Sequence, residues 1–98
     1  ILHTVAFSLK HPKDSAEEKN FLQAGLALAK LPMVQNFRIY RQVGEKSDFD
    51  FGVAMEFSSD EAYQAYNEHP IHREFVETIW LPEVSRFLEL DYVAYDVA

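Results

Sequence analysis

The sequence predicts an α+β domain with strands and helices in the order β-α-β-β-α-β, and three observations carry that expectation. Residues 1–9 and 49–57 alternate apolar with small or polar side chains at period two, as half-buried strands do. Ser15 with Glu18, and Ser58 with Glu61, have the spacing of a capping box, in which side chains satisfy orphan N–H groups at a helix start. A chain of 98 residues that is 48% hydrophobic, with eight Phe and five Tyr, suits one globular core and not two.

The elements follow in order. In the first strand, His3, Val5, Phe7 and Leu9 share one side and Thr4, Ala6 and Ser8 the other. A turn over His11, Pro12, Lys13 and Asp14 leads to the Ser15 cap and a first helix. Its apolar positions Phe21, Leu22, Gly25, Leu26, Leu28 and Ala29 recur at three and four, and Leu31-Pro32 stops it. Residues 34–43 read as a second strand, joined through the polar loop 44–48 to the third. There Phe49, Phe51, Val53, Met55 and Phe57 share one face, and Asp50, Gly52, Ala54 and Glu56 the other. The helix opened by Ser58 and Glu61 runs through Tyr63 and Tyr66 until His69, which precedes Pro70 and is pushed out of helical geometry. It resumes with Ile71, Phe75 and Ile79 on one stripe and His72, Val76 and Trp80 on the next, and ends at Leu81-Pro82. Residues 87–95 form the last strand. The order is that of a ferredoxin-like subunit: a four-stranded antiparallel sheet with helices on one face, in a single domain over residues 1–98.

The phenyl-rich faces of strands one and three belong together beneath the helices. That leaves Thr4, Ala6, Ser8, Gly52 and Ala54 on the opposite face, small enough for another layer to approach. The pattern fits an ordinary solvated sheet face or, as the sharper reading, a homodimer packed through this open sheet face, an isologous contact of the commonest symmetry.

Nine basic and sixteen acidic residues give a formal net charge of -7, whose field repels phosphate backbones and anionic lipid, so neither nucleic acid nor membrane is an expected partner. The longest apolar run, 24–29, is far too short to span a bilayer, and nothing at the start resembles a signal peptide. No Cys is present, which removes thiolate chemistry and fits a reducing, cytoplasmic setting. The chain opens on Ile1 and not on Met, so a short upstream piece is expected.

His72 heads the chemical candidates, since a residue just past a Pro break can project toward the sheet and imidazole is the usual general base near neutral pH. Tyr66 lies six positions earlier across the break, and His3 sits on the helix-covered side of strand one. With Val5, Phe7, Phe21, Val53, Phe75 and Trp80 as walls, the three polar tips outline a small-molecule site. The same residues also read as core rings whose tips satisfy backbone groups, with His69 bonding the freed helix end. The pair His69-x-x-His72 has ligand-like spacing, but Pro70 breaks the face it would need and no third ligand is specified, so no metal is predicted. The acidic residues Glu17, Glu18, Glu45, Asp48, Asp60 and Glu61 read as caps and solubilising groups. The three Gly are isolated, and no phosphate loop or dinucleotide fingerprint occurs, so no cofactor is predicted.

The segments Leu2-His3-Thr4-Val5-Ala6-Phe7, Leu31-Pro32-x-Val34, Phe57-Ser58-Ser59, Tyr66-x-x-His69-Pro70-x-His72 and Asp91-Tyr92 together resemble the stress-responsive A/B barrel domain over nearly the whole chain. The resemblance implies a ferredoxin-like subunit paired sheet to sheet as a dimeric barrel. One similar branch is a plant polyketide cyclase that closes an aromatic acid by intramolecular aldol condensation without metal or cofactor. Its base His and partner Tyr occupy the motif positions matched by His72 and Tyr66, and its strand-one His is matched by His3. Similar barrels also include cofactor-free monooxygenases of the antibiotic-biosynthesis type, for which this chain carries no motif. Three functional expectations result. The first is a dimeric domain binding a small apolar molecule between helices and sheet. The others are a cofactor-independent lyase or cyclase using His72 and Tyr66, and a structural protein whose cavity is closed by Phe7, Phe21, Phe75 and Trp80.

Overall fold

In the computed structural model, which describes residues 1–97, four strands form one sheet in the order β2-β3-β1-β4, every neighbouring pair antiparallel. They are β1 (Leu2–Leu9), β2 (Gln35–Arg41), β3 (Phe51–Glu56) and β4 (Val84–Tyr92). The helices are α1 (Ala16–Gly25), α2 (Asp60–Glu68) and α3 (Pro70–Phe75). This is the ferredoxin-like arrangement, and the register explains where its core lies. Val5 stands opposite Val53 and Phe7 opposite Phe51, so the buried phenyl faces of β1 and β3 are continuous under the helices. Phe21 from α1 and Phe75 from α3 close that core with Met55, Phe57 and Tyr66. On the reverse face Thr4 stands beside Ala54 and Leu90, and Ala6 beside Gly52 and Leu88.

At the start of α1, Ser15 Oγ accepts the Glu18 N–H at 3.2 Å. The return half of the box is not made. Glu18 is instead buried, and its Oε2 accepts the Asp14 N–H at 3.1 Å and Arg41 Nη2 at 3.2 Å, tying α1 to the end of β2. Its expected role as a solubilising group is thus corrected. After Gly25 the helix tightens into 3₁₀ turns over Leu26–Lys30. With three residues per turn, the buried positions become Gly25, Leu28 and Leu31, while Leu26 is half exposed and Ala29 lies outside the core.

The α2 cap also differs from expectation. Phe57 stays extended and buried, donating its N–H to the Ile1 carbonyl at 2.9 Å, so the turn starts one residue later. Ser59, not Ser58, then caps the helix by accepting the Ala62 N–H at 3.1 Å. His69 is extended, with φ −64° and ψ 133°, as a residue before Pro must be. Beyond α3 the helix widens into a π turn (Val76–Trp80), the Leu81 N–H reaching back to the Val76 carbonyl, and closes with one α turn (Leu81–Glu83). Pro82 therefore sits inside the last turn and does not end the helix at Leu81. The expected stripe is also corrected: within α3 Ile71 is exposed while Phe75 is buried.

Strand limits shift for reasons of pairing. β4 starts at Val84 because Leu9 pairs with it, and stops at Tyr92 because Tyr92 pairs with Leu2, the first residue of β1. Tyr95, placed in this strand by its apolar alternation, is 84% exposed. At the opposite edge the hairpin closes through Gln42 N–H to the Asp50 carbonyl at 2.8 Å, so Val43 and Phe49 fall outside their strands. A bulge in β2 places Asn36 at φ 53°, a conformation Asn tolerates better than most residues.

Candidate functional site

A cavity of about 330 Å³ lies between the inner face of the sheet and the helices. Apolar side chains of β1, β3, α1, α3 and the π turn make most of its wall. His3, Tyr66 and His72 border it, as do Val5, Phe7, Phe21, Val53, Phe75 and Trp80. The rings that could have filled the space instead pack on one another: Phe7 lies 5.1 Å from Trp80 and 5.8 Å from Phe21, centroid to centroid, and Phe21 lies 6.0 Å from Phe75. A space of this size is ample for a single aromatic ring with substituents, since cavities of roughly 150 Å³ hold benzene.

The Pro break sets the chemistry of His72. Pro70 has no N–H to give the Tyr66 carbonyl, which takes the His69 N–H at 3.1 Å instead. The Ile71 N–H, whose helical partner would be the Asn67 carbonyl, goes to His69 Nδ1 at 3.1 Å. Asn67 is left with a free carbonyl, and His72 Nδ1 donates to it at 3.2 Å. A carbonyl only accepts, so Nδ1 carries the proton and Nε2 keeps a lone pair. Burial lowers the His72 pKa; the Asn67 bond opposes this, and the nearby His3 adds to it. The result is a neutral imidazole with one free acceptor near neutral pH.

Tyr66, on the last turn of α2, has its ring 4.2 Å from that of His72. Burial, and after it the Glu89 charge, push its phenol well above its usual range, so it remains a donor. Among the described residues no hydrogen bond engages its hydroxyl. An acceptor on His72 and a donor on Tyr66 thus stand together at one end of an apolar cavity.

His3 is held by groups that the sequence reading did not place at the site. Asp91 Oδ1 lies 2.5 Å from His3 Nδ1, and the Tyr63 hydroxyl donates to Asp91 Oδ2 at 2.8 Å while lying 3.1 Å from the same imidazole nitrogen. Burial, then the bond and charge of Asp91, raise the Tyr63 phenol. On the other side of the ring, Glu89 Oε1 stands 3.8 Å from His3 Nε2. The missed signal was the alternation Phe87, Glu89, Asp91, which puts all three on the inner face of β4, with Asp91 directly opposite His3 in the register.

Among the described residues, His3, Glu89 and Asp91 are also the group whose ligand atoms come close enough to hold a cation, all within 4.8 Å of one another. Asp91 Oδ1 already engages Nδ1 at 2.5 Å, and Glu89 Oε1 stands 3.8 Å from Nε2. His69 and His72 make no such pair, because His69 caps α3 and His72 turns back to Asn67. No helix among the described residues is long and apolar enough to cross a membrane.

Comparison with known proteins adds a family and a fold. A family model described as Stress responsive A/B Barrel Domain matches residues 1–94. A Dabb family protein with a ferredoxin-like fold from Mesorhizobium loti is 46% identical, with a TM-score of 0.95 over 97% of this chain and 96% of its own. A dimeric ferredoxin-like protein of unknown function from Thermobifida fusca is 20% identical, with a TM-score of 0.78 over 95% of this chain and 89% of its own. A hydroxynitrile lyase from Passiflora edulis is 16% identical, with a TM-score of 0.83 over 99% of this chain and 94% of its own; at that identity the likeness is one of fold. No curated protein matches the chain.

Proposed function

The chain belongs to the stress responsive A/B barrel domain family, and from that premise we propose that it is a homodimeric binding domain for a small apolar molecule held between helices and sheet. The observation that carries the ligand is the cavity of about 330 Å³, walled by aromatic and aliphatic side chains and tipped by His3, Tyr66 and His72. Apolar walls supply affinity, and a few convergent polar groups supply orientation. The dimer is supported by the reverse face of the sheet, where Leu2, Tyr40, Leu88, Leu90 and Tyr92 are all partly exposed around the small Ala6, Gly52 and Ala54. The Thermobifida fusca protein of the same fold is dimeric.

Titration with benzyl alcohol, followed by amide chemical shifts, tests the ligand. Saturable shifts clustered at Tyr66, His72 and Trp80 are expected, and they disappear in Val53→Trp, where an indole occupies the space. A wild type that shows no saturable shifts overturns the reading.

A second reading, a cofactor-independent lyase or cyclase, is favoured by one specific observation: the bond from His72 Nδ1 to the Asn67 carbonyl, which leaves Nε2 as a free base. In this reading Nε2 takes a proton α to a carbonyl. The C–H electron pair moves into the carbonyl to give an enolate, and the Tyr66 hydroxyl donates to the enolate oxygen. His3, fixed by Asp91 and Tyr63, borders the same space. Turnover of a reactive β-polyketone by wild type, with losses of about 10²-fold or more in His72→Ala and smaller losses in Tyr66→Phe, is the expected result. Equal rates in all three leave the binding reading alone.

A further inference from the structure

Among the described residues, the cavity wall includes one carboxylate, Glu89, and neither Lys nor Arg. The carboxylate lies at the polar end, 3.8 Å from His3 Nε2, and Asp91 stands behind the same imidazole. Two arginines are paired outside the cavity wall: Arg41 with Asp14 and Glu18, and Arg86 with Asp48. Cavities that take carboxylates or phosphates present a guanidinium, an ammonium or a row of backbone N–H groups. This one presents the opposite charge. We propose that Glu89 makes the cavity selective by charge, admitting uncharged hydroxyl- or carbonyl-bearing apolar molecules and excluding their carboxylate counterparts. The inference rests on the ligand reading above and narrows its substrate class.

The physical basis is that an anion entering here loses hydration, finds neither Lys nor Arg on the wall and meets a like charge across a poorly polarisable wall. An uncharged ligand meets none of these costs and still finds an acceptor on His72 and a donor on Tyr66. The Glu89 side chain is about half exposed, so its field is partly screened and its replacement leaves the core intact.

Benzyl alcohol and benzoate share one ring and differ in charge, and their dissociation constants are measured by the same shift titration in wild type, Glu89→Gln and the surface control Glu61→Gln. Benzoate is expected to bind at least about tenfold more weakly than benzyl alcohol to wild type and to Glu61→Gln. In Glu89→Gln that ratio falls to about threefold or less, while benzyl alcohol itself changes by under about twofold. Benzoate binding wild type as well as benzyl alcohol does, or a ratio unchanged in Glu89→Gln, overturns the charge selection and leaves the ligand reading standing. If benzyl alcohol does not bind wild type at all, the ligand reading falls and takes this one with it.

Discussion

The interaction that orders the polar end of the cavity is the bond from His72 to a carbonyl that Pro70 sets free, and it has a consequence for pH. Because burial lowers the His72 pKa in the folded chain, unfolding takes up a proton once the pH drops below the ordinary value of 6.5. The stability held in this group is complete above that pH and is lost as the pH falls toward the depressed folded value. The melting temperature of wild type should therefore fall between about pH 7.5 and about pH 5.5 by more than that of His72→Asn. Equal declines would remove His72 as the source. Asp91 makes a second expectation, since its carboxylate serves both the buried His3 and Tyr63. Asp91→Ala strands two polar groups and should cost about 1–3 kcal/mol by urea unfolding, whereas Tyr63→Phe deletes one donor cleanly and should cost about 0.5–1.5. His72, Tyr66 and His3 stood out in the sequence because a Pro break and a strand alternation are local signals. Asp91 stood there only within a family marker and Tyr63 only as a helix residue, because their pairing with His3 spans 88 and 60 positions and depends on how the last strand and α2 meet the first strand.

Among the elements, the strands were legible to within a few residues and the helices only in outline. Alternation reports burial directly, so the inner faces of β1 and β3 follow from the order of their residues. Helix pitch is not written in the same way. A regular helix through Leu28 groups Leu26 with the buried stripe, but the 3₁₀ turns bring Leu28 and Leu31 to the core ahead of Pro32 and leave Leu26 half exposed. Leu28→Ala should accordingly cost about 2–4 kcal/mol in chemical denaturation, and Leu26→Ala under about 1. Similar costs at both positions would mean that the helix keeps its ordinary pitch. The cap of α2 divides adjacent residues in the same manner: Ser59→Ala should cost about 1 kcal/mol and Ser58→Ala under about 0.5. The π turn had no local signature, yet it places Val76 and Trp80 on the cavity wall and lets Pro82 lie inside the helical segment.

For the whole molecule, the question is what the reverse side of the sheet meets. Its centre is Thr4, Ala6, Gly52 and Ala54, and its margins are Leu2, Tyr40, Leu88, Leu90 and Tyr92, exposed by 39–53%, with Arg38, Glu56 and Arg86 among them. An apolar patch rimmed by large side chains marks an interaction surface, and a face with small residues at its middle suits close approach of a second copy across a two-fold axis. Net charge of -7 works against association at low salt and less so as salt rises. A dimer binds the folded state only, so its melting temperature climbs with protein concentration, and a variant that cannot pair loses that dependence. Ala54→Arg places a cation at the centre of the face, next to Thr4, without entering the core on the other side of the sheet. Light scattering at tens of micromolar should give twice the chain mass for wild type and the single mass for Ala54→Arg, with unchanged far-ultraviolet dichroism. A wild type that scatters as a monomer, with a concentration-independent melting temperature, would leave the apolar face without the partner assigned to it.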